Sequence, residues 1–192
     1  MKIGFVLDDG LDVPDGVQQY VLTLGKWFTD QGHQVHYLAG HTTRTDIPNI
    51  HSLSRNVKVR FNQNKLSVPL PVSSKKLKAF LDEQKFDVLH VQMPYSPQFA
   101  GRLVKVAPAG TAIVGTVHIL PYGLMQKAGS WALSKILSSS LARFDLVASV
   151  SDAAQHFALD TMGITSDVIP NAVDLSKYAL GKPLAEYADG KQ

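Results

Sequence analysis

The chain has 192 residues, a length that suits one large domain or two very small ones. Its 45% apolar and 18% charged residues are those of a chain that folds around a core, which excludes an intrinsically disordered protein. A net charge of +3 is too small to imply a nucleic-acid partner, and the absence of cysteine excludes disulfides, thiolate nucleophiles and Cys-ligated zinc.

Strand and helix patterns alternate along the chain. Lys2–Leu7 is a short β-rich run stopped by Asp8, Asp9 and Gly10. After a loop to Gly16, the residues Val17, Tyr20, Val21, Leu24, Trp27 and Phe28 recur at helical spacing, and Gly32 is placed to end that helix. Gln34–Ala39 reads as the second strand, with His36 pointing outward. The polar stretch from Gly40 to Asn56 reads as loop, and Val57–Phe61 alternates as a third strand. Ser73 and Ser74 are candidate caps for a helix through Gln84 with the stripe Leu77, Phe80, Leu81.

Phe86–Val91 reads as a buried strand, Gln98–Val106 as a helix and Ala112–Val117 as a strand ending at His118. A helix over Gly129–Ala142, a strand Leu146–Val150, a short helix capped by Ser151 and a last strand Asp167–Ile169 follow. About seven strands in this order predict a Rossmann-like doubly wound parallel α/β sheet with helices on both faces. One such domain is expected over 2–178, with 179–192 a linker or the start of a further domain. No run is apolar and long enough to span a bilayer, and Ile3–Leu7 is too short for a signal peptide. The expected location is the cytoplasm, with the inner face of the plasma membrane an open alternative.

In an open parallel sheet, ligands bind beyond the carboxyl ends of the strands. That rule places Asp8, Asp9 and the loop to Gly16, then Gln92, Met93, His118, Ser151 and Asn171, on one rim. The first loop is not the three-glycine dinucleotide fingerprint. A glycine at a helix start still lets a phosphate approach backbone N–H groups, although the Asp15 carboxylate beside it opposes an anion. His118 reads either as an acid, base or hydroxyl contact, or as a core histidine bonded to a neighbouring carbonyl. No histidine pair has the H-x-x-x-H spacing, none is joined by a suitable Glu, and no Gly-x-Ser-x-Gly occurs, so neither metal nor serine-hydrolase chemistry is expected. Lys75, Lys76 and Lys78 flank an apolar stripe that either lies on an anionic membrane or covers the sheet.

The run from Met1 to Ala39, FDVLHVQMP, Thr116-Val117-His118, DLVASVSDAAQ and VIPNAVDLSKY, in that order, resemble the landmarks of retaining family 4 glycosyltransferases of the GT-B fold. Asp12-Val13-Pro14, Gly16-Val17-Gln18 within the first loop resemble the phosphatidylinositol mannosyltransferases. The resemblance implies transfer of a sugar, with retention, from a GDP- or UDP-sugar to a hydroxyl acceptor on a lipid or glycan, with no tightly bound cofactor. It implies that Gly16, with Asp15, meets the donor diphosphate, and that Asp9, Asp12, Gln18 and Tyr122 line the acceptor pocket. His118 becomes the catalytic candidate at the transferred sugar, Lys75, Lys76 and Lys78 a membrane-surface cluster, and Ser151 and Asn171 an inter-domain rim. The family's donor-binding C-terminal Rossmann domain has no counterpart here, so catalysis by this chain alone is not expected.

Four departures stand against the family pattern. Asp15 occupies the place of a second glycine and Asp9 that of an aromatic residue. The loop after His118 lacks a lysine, and Gln92-Met93 replaces a more polar pair. They point to an acceptor other than phosphatidylinositol, or to another way of holding it. A stand-alone module that binds a glycan, a lipid headgroup or a protein without catalysis is the alternative reading.

Overall fold

The computed structural model describes residues 1–175 except 14, 62–63, 94 and 119–123, together with 179 and 181. The expected Tyr122 contact and almost all of the 179–192 segment lie outside the described residues. Among the described residues, nine strands and the helices between them follow one another as β1 (Lys2–Leu7), α1 (Gly16–Asp30), β2 (Gln34–Ala39), β3 (Ile50–Ser52), β4 (Asn56–Phe61), β5 (Asn64–Pro69), α2 (Ser74–Gln84), β6 (Val88–Met93), α3 (Ala100–Val106), β7 (Ala112–Val117), α4 (Leu124–Leu141), β8 (Leu146–Ser149), α5 (Asp152–Phe157) and β9 (Asp167–Val168). Among the described residues, seven strands form one sheet in the order β3-β2-β1-β6-β7-β8-β9. Each of its pairings is parallel. The predicted doubly wound α/β class is therefore the class observed.

The strands alternate their side chains between two cores, as the two-residue period of a pleated sheet requires. Ile3, Phe5 and Leu7 of β1, with Val35 and Tyr37 of β2, face α1 through its Val21. Val6, Leu38, Leu89, Val91, Met93, Ile113 and Val117 face the other way, against Leu77 and Leu81 of α2, Leu103 and Val104 of α3, Leu137 of α4 and Phe157 of α5. Burying a Leu or Phe of this kind contributes about 1.5–3 kcal/mol relative to leaving it exposed. Helix α1 lies so close to the sheet that a Cβ on Gly25 would collide with the Tyr37 ring. Gly32, at φ +81°, takes the left-handed turn after α1 that was expected of it.

Three local expectations differ from the structure. Val57–Phe61 is a strand, but it pairs antiparallel with β5 in a separate two-stranded ribbon. The third member of that flank of the main sheet is β3, inside the stretch read as loop, where Tyr37, Leu38 and Ala39 pair with Ile50, His51 and Ser52. A three-residue strand carries too little periodicity to be seen locally; its partner selects it. His36 is buried rather than outward, because the face opposite α1 is covered by α2 and Phe86. Its ring stacks on His51 with Nδ1 2.9 Å from His51 Nε2.

Candidate functional site

The carboxyl ends of β1, β6, β7, β8 and β9 place most of the expected site residues along one rim. The β1 exit is held to the start of α3 by Asp8. Its Oδ1 accepts from Ser96 Oγ at 3.1 Å and from the Ala100 backbone N–H at 3.1 Å, and its Oδ2 from the Ser96 backbone N–H. Burial outweighs these bonds and raises the carboxyl to about 6. Asp9 beside it accepts from Gly10 N–H at 2.7 Å and is exposed.

The loop between β1 and α1 uses its polar residues on itself. Gln18 is buried, and its Nε2 donates to the Gly10 carbonyl at 3.1 Å. Asp12 Oδ1 accepts from Thr43 N–H at 2.8 Å and from Thr43 Oγ1 at 2.7 Å, which ties the loop to the β2 exit. Those bonds hold the Asp12 carboxyl below its ordinary value despite some burial. Asp15 caps α1: its Oδ1 accepts from Val17 N–H at 3.0 Å and from Gln18 N–H at 3.2 Å. Gly16 opens the helix next to it, and a Cβ built there meets nothing within 4 Å.

That open face of Gly16 belongs to a cavity of about 240 Å³, bounded by Gly16, Gln19, Tyr20 and Thr23 of α1 and by Asn171–Asp174 after β9. Two predicted residues distant in sequence, Gly16 and Asn171, thus share one cavity. A larger open groove of about 660 Å³ continues along α1, between Thr23, Leu24, Lys26, Trp27 and Asp30 and the segment Ala172–Leu175. Ser151 stands further along the rim, exposed, and caps α5 by accepting from Ala154 N–H at 3.2 Å.

Tyr20 links the cavity to His118. Its ring edge meets the His118 ring with centroids 5.0 Å apart and lies 6.2 Å from the His90 ring. His118 Nε2 is 2.7 Å from Gln92 Oε1, and Gln92 Nε2 is 3.2 Å from the His90 carbonyl. His90 Nε2 is in turn 2.6 Å from Thr116 Oγ1. Burial holds both His118 and His90 down to about 4, so both rings are neutral near pH 7. Tyr20 was expected only in the helical stripe and Gln92 only as a rim residue, and no role was expected of His90 or Thr116. Their signal is positional: alternate residues of two adjacent apolar strands are polar and point to the α1 side, where a purely structural core would be apolar.

The lysine cluster sits elsewhere. Leu77 and Leu81 are buried against the sheet, so the apolar stripe of α2 covers the core. Lys75 and Lys76 are exposed, and Lys78 pairs with Asp82 at 2.8 Å. Among the described residues, no group of three or more His, Cys, Asp or Glu side chains could hold a metal ion, and no helix is long and apolar enough to cross a membrane.

A seven-stranded parallel sheet of this kind, with helices on both faces, is the fold class of the GT-B glycosyltransferases. The model of Glycosyltransferase Family 4 matches residues 14–177, and the chain belongs to that family. It is 29% identical over 182 residues to the phosphatidyl-myo-inositol mannosyltransferase of Mycolicibacterium smegmatis, covering 93% of this chain and 46% of that protein. It is 28% identical over 200 residues to the protein of the same name from Propionibacterium freudenreichii subsp. shermanii, covering 100% of this chain and 51% of that protein. The chain therefore spans about half the length of the curated relatives it matches. Among solved structures, a glycosyltransferase from Rickettsia africae superposes with TM-score 0.60 at 16% identity, over 98% of this chain and 48% of that one. An alpha-glucosyltransferase in complex with UDP and a 13-mer DNA gives TM-score 0.57 at 18% identity, over 92% of this chain and 44% of that one.

Proposed function

We propose that this domain is the acceptor-side half of a retaining glycosyltransferase that moves a sugar from a GDP- or UDP-sugar to a hydroxyl acceptor on a lipid or glycan. The observation that carries the reading is the adjacency of three features on one rim: the open face of Gly16, the Asn171 exit and the Tyr20–His118 contact. Gly16 admits a diphosphate close to the helix start, where the dipole favours an anion. His118 and Tyr20 stand beside it, where the transferred sugar would lie. Gln18 and Asp12 shape the first loop from within, and Asp9 stays exposed for an acceptor. Names of the curated relatives support mannose transfer to an inositol lipid as the first chemistry to test.

The donor-side half would come from a second Rossmann domain. Trp27 is 54% exposed, Val173 63% and Leu175 75%, all around the groove beside the segment that leads out of β9. So much exposed apolar surface in one place fits a further domain packed there better than bare solvent. The exposed Lys75 and Lys76 support work at an anionic membrane face through charge alone, because the apolar stripe of α2 is used in the core.

The test uses a polypeptide carrying this chain joined to a C-terminal donor domain. Gly16→Trp is expected to abolish turnover of the sugar nucleotide and to leave thermal unfolding unchanged, since its side chain enters open space. Turnover at the wild-type rate would remove Gly16 from the donor site. An unchanged transfer rate in His118→Ala would remove His118 from the reaction.

A further inference from the structure

We propose that Gln92 is a positioning residue: it holds His118 as the neutral ring protonated on Nε2, so that His118 meets its ligand through Nδ1, as an acceptor for a hydroxyl group. The hydroxyl ligand rests on the sugar-transfer reading above; the hydrogen on Nε2 rests on the geometry, and the neutrality of the ring on its burial.

The argument follows the protons. Gln92 lies on β6 opposite Thr116 on β7, one residue short of the strand exit. One end of its amide is 3.2 Å from the His90 carbonyl. A carbonyl only accepts, so the amide nitrogen must face it and the amide oxygen must face away. That oxygen is 2.7 Å from His118 Nε2. An amide oxygen also only accepts, so Nε2 must carry the hydrogen. A neutral imidazole protonated on Nε2 keeps its lone pair on Nδ1. Two further contacts hold the ring in place. His118 backbone N–H donates to the Met93 carbonyl at 3.2 Å, and the Tyr20 ring packs edge-on at 5.0 Å.

The charged and titratable groups around the ring do not reverse this. Asp15, at the start of α1, favours a cationic His118, while burial opposes it and prevails. His90 on β6 is itself buried and neutral. Tyr20 on α1 is pushed up by burial and stays un-ionised. A neutral His118 supplies no positive charge to a departing diphosphate. Its chemical use is to accept a hydrogen bond from a hydroxyl and so orient a sugar or an acceptor.

The experiment reads the ring directly, by ¹⁵N NMR of this chain with labelled histidine and no sugar present. In the wild type at pH 7, His118 should show a protonated Nε2 and an unprotonated Nδ1. Gln92→Leu should mix the two neutral forms. Gln92→Glu should keep the proton on Nε2 and move the titration of His118 upward by about 1–3 pH units, because a carboxylate replaces the amide oxygen. A wild-type ring protonated on Nδ1 would overturn the proposal. So would a Gln92→Leu spectrum identical to that of the wild type, or a Gln92→Glu titration that does not move.

Joined to a donor domain, Gln92→Leu should slow transfer about 10- to 100-fold through kcat. The Gln92→Leu/His118→Ala pair should be no slower than His118→Ala alone, since Gln92 acts through that ring. Losses that multiply would overturn the functional half of the proposal. If no sugar nucleotide is turned over at all, the transferase reading fails while the NMR result stands.

Discussion

The Asp15 carboxylate accepts the backbone N–H of Val17 at 3.0 Å, and the same oxygen takes Gln18 N–H at 3.2 Å. These are among the donors that a helix start offers to a phosphate. In this chain a side chain already occupies two of them. The start of α1 is self-capped.

Removing that carboxylate should therefore separate stability from anion binding. Asp15→Ala is expected to lower unfolding stability by about 0.5–2 kcal/mol, the usual value of a lost cap, and Asp15→Gly by only a few tenths. Both should tighten binding of pyrophosphate or a sugar nucleotide, because two N–H groups are released and a negative charge is gone. Chemical denaturation and calorimetry on the same variants check the two effects. Weaker anion binding in Asp15→Gly would place the diphosphate elsewhere.

Acid should destabilise this fold well above the range where carboxylates titrate. His36, His90 and His118 are held by burial down to about 4, against 6.5 unfolded, and His51 is lowered as well. Groups kept neutral in the fold contribute fully above pH 6.5, and that contribution falls away as pH drops from 6.5 through 4. For His90, the most deeply buried of them, the loss approaches about 3 kcal/mol.

Asp8 works in the opposite direction. Its carboxyl is raised to about 6 from 3.8, so its protonation favours the fold as pH falls across that interval. One aspartate offsets about one histidine, and the balance remains acid-labile. Urea midpoints at pH 7 and pH 5 should show a clear fall, and His90→Gln should make it shallower. A midpoint that does not change between those pH values would contradict the burial seen here.

Membrane contact through α2, if it occurs, must be electrostatic. Each lysine near an anionic surface contributes ~1 kcal/mol, and Lys78 is partly engaged by Asp82. Lys75→Ala/Lys76→Ala should therefore weaken partitioning onto phosphatidylserine- or phosphatidylinositol-containing vesicles about 30-fold at low salt. Salt should have the same effect, as the screening length shortens below ~10 Å. Vesicle binding that is indifferent to both the substitutions and salt would exclude α2 as the contact.

Local pattern was enough for the elements whose information is local. The apolar run of β1, the helical stripe Val17–Phe28, Gly32 at its end and the Ser151 cap are each written within a few residues, and each appears as expected. Alternation in Val57–Phe61 also announced a strand correctly. It could not say that the partner was Asn64–Pro69 rather than β2, because strand pairing is a choice between segments. The same limit hid β3, whose three residues become a strand only through Tyr37, Leu38 and Ala39.

The site divides along the same line. Sequence by itself determined the α/β class and which residues follow each strand, because the alternation of strand and helix patterns is written locally; it offered Gly16, His118 and Asn171 as candidates, and their roles came only with the family resemblance. Tertiary structure alone decided what those residues do to one another. Gln92 and His118 are 26 positions apart, and only the parallel register of β6 and β7 brings an amide oxygen to 2.7 Å from the imidazole. The α2 stripe, which suits a membrane or a core equally well by composition, lies on the core because the sheet beneath it needed covering. Hydrogen bonds and burial depend on distances across the fold, and those are set by packing.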